Sequence, residues 1–141
     1  GEARMTVESL YELTAPTLDD IELLARDTYD RLPAEFRARC GAIVFRVEDF
    51  PDDDVIEEME LETQYDILGL FQGVGITEAQ ESDPVPRDPN MVFLYRRPIL
   101  DEWSDSEITL GDIVTHVLVH EIGHHFGFSD ADMERIESEM T

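Results

Sequence analysis

The chain has 141 residues, of which 42% are hydrophobic, and carries a formal net charge of −24 with no lysine. That is one domain's worth of sequence with apolar material for a core, expected over residues 1–141, and no apolar run approaches a membrane span. So acidic a chain repels nucleic acid and anionic membranes, which are bound through excess Lys and Arg.

The N-terminal stretch Gly1–Leu10 mixes Glu2, Arg4 and Glu8 with apolar residues and has no leader pattern. The single cysteine, Cys40, has no partner for an internal disulfide, which fits a reducing, cytoplasmic compartment. Thr17-Leu18-Asp19-Asp20 reads as a capping box opening a helix whose apolar face is Leu18, Ile21, Leu24, Ala25, Tyr29 and Leu32. Pro33 closes that helix or begins a further short turn, and Gly41 releases the chain into a strand over 42–47. The acidic run 48–62 reads as a solvated loop or short helix anchored by Val55, Ile56 and Met59; Asp52-Asp53-Asp54 lacks the spaced oxygens and turn glycine of a calcium loop. A strand is expected over 67–71, then a turn or bulge at Gly73 and Gly75, then a proline-rich loop over 78–90. Residues 91–95 form the clearest strand, ended by Pro98. A long helix follows over about 110–126, capped by Thr109 with Asp112 in the box position and terminated by Gly127, then a last helix over about 130–139. The order predicts an α+β fold with a small sheet layered on helices.

The chemistry concentrates in His120-Glu121-Ile122-Gly123-His124. Histidines four apart on a helix lie one turn apart on one face, so both imidazoles can reach one zinc ion. Glu121 is rotated off that face and is placed instead to act as general base on a zinc-bound water. Gly127 would turn the chain sharply, and Asp130 would return as a third metal ligand. The competing role for Asp130 is as N-cap of the final helix, although Ser129, with Asp132 three positions on, can fill that cap. His116, one turn before His120, is placed to line the cleft or support a ligand, but a satisfied, partly buried histidine is the plainer reading. His125 should point away from the metal face. Gly123 suggests close approach by a neighbouring strand, and Met133 is either a floor beneath the metal or a core residue. Tyr95 and Arg97 can serve as cleft contacts or equally as strand and surface residues.

The extended pattern from His120 to Asp130 resembles the metzincin-like signature, and the chain is similar to the bacterial family of minimal zincin-like metallopeptidases. The likeness also covers Leu68-Gly69-Leu70-Phe71-Gln72-Gly73 and Leu94-Tyr95-Arg96-Arg97-Pro98-Ile99-Leu100, spanning about residues 18–135. It implies a compact zincin fold, with a small mixed sheet packed against the zinc-binding helix, and peptidase activity on a peptide or protein substrate. Where a metzincin has a methionine turn well downstream, this chain offers only Met133.

Two rival classes stand beside the zinc peptidase. One is a different metal hydrolase. Peptide deformylases share the five-residue helix motif but add a cysteine ligand from a Gly-Cys-Leu segment, whereas Cys40 stands in Arg39-Cys40-Gly41. Small endoribonucleases use a related histidine cluster, and the charge argues against an RNA substrate. The other is a non-catalytic module in which zinc ties two helices together, a role that needs no base at position 121.

Overall fold

The computed structural model describes residues 6–73 and 90–140. In chain order the elements are α1 (Val7–Tyr11), α2 (Leu18–Arg31), α3 (Ala34–Ala38), β1 (Ile43–Glu48), α4 (Asp53–Glu58), β2 (Gly69–Gln72), β3 (Asn90–Tyr95), α5 (Arg96–Ser104), α6 (Leu110–His125) and α7 (Asp130–Met140). The expected turn at Gly75 and most of the proline-rich loop lie outside the described residues.

Among the described residues β3 is the middle strand of a three-stranded sheet of order β1-β3-β2. It pairs in parallel with β1, from Ile43↔Asn90 to Glu48↔Tyr95, and antiparallel with β2, from Gly69↔Leu94 to Gln72↔Met91. Strand alternation turns one face of β1 and β3 to the core. Phe45, Val92 and Leu94 are buried while Val44 and Arg46 are exposed. Helix α2 packs on β1, α6 packs on β2 and β3, and the two helices touch each other. The core fills the space between, built from Ile21, Ala25, Phe45, Val92, Leu94, Val114 and Leu118.

Local signals set the helix starts. Both bonds of the α2 capping box form: Thr17 Oγ1 accepts from the Asp20 amide, and the Asp20 carboxylate accepts from the Thr17 amide. Thr109 Oγ1 likewise accepts the Asp112 amide at 3.1 Å and starts α6. Pro98 does not follow a strand end with loop, as the sequence suggested. The strand stops at Tyr95 and Pro98 is the third residue of α5, in the first helical turn where a missing N–H leaves no intrahelical bond unmade.

Candidate metal centre

Helix α6 carries its chemistry because its two faces differ. Ile113, Val114, Val117, Leu118 and Ile122 are buried against the core. His116, His120 and His124 follow one another at single-turn intervals along the other flank, the first and last exposed and His120 half-buried. The rings of His116 and His120 lie 4.0 Å apart and those of His120 and His124 5.6 Å apart, the second pair edge-on at 80°.

Glu121 sits off this row. Burial raises its carboxyl above the ordinary carboxylate range, and nearby His124 pulls it partly back. Tyr95, fully buried at the end of β3, is close enough to feel Glu121; burial chiefly, helped by the negative charges of Glu48, Asp52 and Glu121, pushes its phenol up to about 12. Arg97 is elsewhere: it lies over the Phe50 ring at 5.6 Å, and its amide donates to the Asp49 carbonyl.

After His125 the helix closes in a Schellman turn. Phe128 N–H donates to the Gly123 carbonyl at 2.9 Å, Gly127 N–H donates to His124, and Gly127 takes the left-handed φ of 76° that this geometry needs. The reversed chain enters α7, where Ser129 Oγ accepts the Asp132 amide at 3.1 Å. Asp130 is thus the first residue of α7 and exposed, with the cap filled by Ser129.

Helix α7 comes very close to α6 at one point. A Cβ on Gly123 would stand 2.5 Å from Met133 Sδ and 2.9 Å from its Cγ. The neighbour that Gly123 admits is therefore this buried methionine and not a strand. Met133 is fully buried under the histidine-bearing turn. His125 turns to the β2 side, where its ring stacks on Phe71 at 4.1 Å and meets the backbone at Gly73. Cys40 is buried and donates its thiol to the Phe36 carbonyl, a packing role.

One acidic residue joins the histidine row that sequence reasoning missed. Glu137 Oε2 lies 3.6 Å from His120 Nε2, and Glu137 Oε1 lies 2.7 Å from His116 Nδ1. Among the described residues, His116, His120 and Glu137 gather ligand atoms within 4.8 Å of one another; Asp130 is not in that group. The signal was present in the sequence: Asp130, Met133 and Glu137 recur at the spacing of one helix face, so the face that presents Met133 to α6 also presents Glu137.

An α+β sheet layered on a helix that displays His-Glu-x-x-His, with the chain reversing directly after it, defines the zincin class of metal hydrolases. The chain belongs to the zincin-like metallopeptidase family, which matches residues 40–140. No curated protein matches it. The motif imidazoles fit the zinc of that class: His120 and His124 stand one turn apart on one flank of α6, with ring centroids 5.6 Å apart.

Proposed function

We propose that this protein is a zinc-dependent peptidase in which His120 and His124 hold the metal, Asp130 completes the protein ligands and Glu121 is the general base. The observation that carries the reading is the geometry of α6: His120 and His124 one turn apart on one flank, with the half-buried Glu121 set off that row beside them. Burial shifts the Glu121 carboxyl upward, the direction a base working near neutral pH needs. Zinc, when bound, would acidify a water and polarise the substrate carbonyl. Glu121 would take the proton of that water as its oxygen bonds to the peptide carbon, and pass a proton to the departing amine as the C–N bond breaks. Asp130 is supported by its place three residues past the Gly127 reversal, free of capping duty. The substrate we assign is an extended peptide or protein segment. Among the described elements β2 pairs only with β3, so its other edge offers main-chain donors and acceptors beside the end of α6. Among the described residues no helix is long and apolar enough to cross a membrane, and we place the activity in the cytoplasm because the lone cysteine is a buried free thiol.

The test is elemental analysis with cleavage of casein, in enough salt to screen the acidic surface. Glu121→Gln should keep its metal and lose cleavage by about 10²–10⁴-fold. His120→Ala should lose both metal and activity, and His124→Ala should lose activity. Cleavage unchanged in Glu121→Gln would overturn the assignment of the base. Metal retained by a wild type that cleaves nothing would move the protein to the non-catalytic zinc module.

A further inference from the structure

The histidine row on α6 is longer than a peptidase motif requires. His116 and His120 repeat the one-turn spacing of His120 and His124, and α7 sets a carboxylate against the first pair. Glu137 Oε1 is buried and accepts no hydrogen bond, although His116 Nδ1 is only 2.7 Å away. A cation between the three groups would give this oxygen a ligand's role in place of its lost solvation. A hollow of about 360 Å³ opens at the same place, with His116 and Glu137 on its wall together with Glu102 and Asp112. An ion therefore has an acidic approach and room for water ligands.

We propose that His116, His120 and Glu137 form a second site for a divalent transition-metal ion, separate from the motif pair but sharing His120. Two imidazole nitrogens with one carboxylate oxygen select zinc-like first-row ions over calcium or magnesium, which take oxygen ligands. A neutral imidazole has one ligating nitrogen, so His120 can serve one site at a time. The two sites are alternatives along one helix face, and wild type holds one ion per chain. The site stands whether or not the protein cleaves peptides, because it concerns uptake of the metal alone.

Cobalt(II) titration reads it, through the visible absorption of the bound ion and the stoichiometry after desalting. His124→Ala, which breaks the motif pair, should still bind one cobalt. Adding Glu137→Gln or His116→Ala to that variant should weaken binding by tenfold or more, and His120→Ala alone should weaken it as severely. Glu137→Gln alone should keep one ion on the motif pair. His116 is exposed, so its replacement leaves the fold in place, as far-UV circular dichroism would verify. If His124→Ala takes up no cobalt while folded, or if Glu137→Gln and His116→Ala leave its uptake unchanged, the second site does not exist. Because Glu121 is not a ligand in either site, failure of the Glu121→Gln cleavage test leaves this result untouched.

Discussion

Replacing Gly123 by alanine tests how closely α7 is pressed on the metal-bearing helix. The new methyl would stand 2.5 Å from Met133 Sδ and 2.9 Å from Met133 Cγ, inside any ordinary contact. Methionine is flexible, but Met133 is fully buried, so it can yield only by pushing α7 outward or leaving its rotamer. Overpacking of this kind costs about 1–3 kcal/mol, against roughly 1 kcal/mol gained from alanine's helix propensity. The tight contact places the net at the upper end, a loss of about 1–2 kcal/mol, or about 3–6 °C in Tm for a chain of this size. Met133→Ala alone empties a core site and should cost about 2–5 kcal/mol. In the double variant the two changes compensate, and the coupling measured in urea should reach about 1 kcal/mol. Gly123→Ala should also weaken metal uptake, because the displaced α7 carries both Asp130 and Glu137. A Gly123→Ala protein as stable as wild type, or costs that simply add in the double variant, would refute the close approach.

Gly127 makes a contrasting case. A Cβ there meets nothing within 4 Å, but φ is 76°. Gly127→Ala should therefore cost about 1–2 kcal/mol through backbone strain alone, and Gly127→Asn less, read from urea midpoints. The alkaline limb of stability should depend on Tyr95. Its phenol ionises near 12 in the folded protein against about 10 unfolded, so the folded state keeps a proton that the unfolded state releases. The contribution is complete below pH 10 and lost as pH rises through 12, on the order of 2–3 kcal/mol in all. Urea midpoints from pH 9 to 11.5 should fall less steeply in Tyr95→Phe; equal slopes would contradict the burial of the phenol.

Elements with a local cause could be read from the sequence. The boxes at Thr17 and Thr109, the glycine reversal at 127 and the alternation through Val92 and Leu94 need only neighbours a few positions away, and each forms. The strand expected over 67–71 forms over Gly69–Gln72, and what the sequence did not show is why a glycine sits there: Val117 of α6 packs where its side chain would stand. Helix α5 was missed because Pro98 reads as a stop, although proline is tolerated in a first turn. The motif showed the histidines and the base, and the helix spacing put Glu137 on the face of Met133, but its meeting with His116 and His120 is set by how α7 packs on α6. Sequence patterning gives the faces of two helices but not which residues meet across them.

The β1–β3 pairing and the metal face differ in how far along the chain their partners lie, and this bears on the order of folding. Ile43 pairs with Asn90, 47 positions on, so joining β1 to β3 closes a long loop, whereas Gln72 meets Met91 only 19 positions on. His116 and Glu137 are 21 positions apart and belong to two helices joined by a single tight turn. The α6–α7 hairpin can therefore assemble on the microsecond scale of helices and short loops, ahead of the β1–β3 pairing. Cations that favour its donors act on an early species. They should raise the refolding rate more than they slow unfolding, and the slower closure left to the protein is the pairing of β1 with β3.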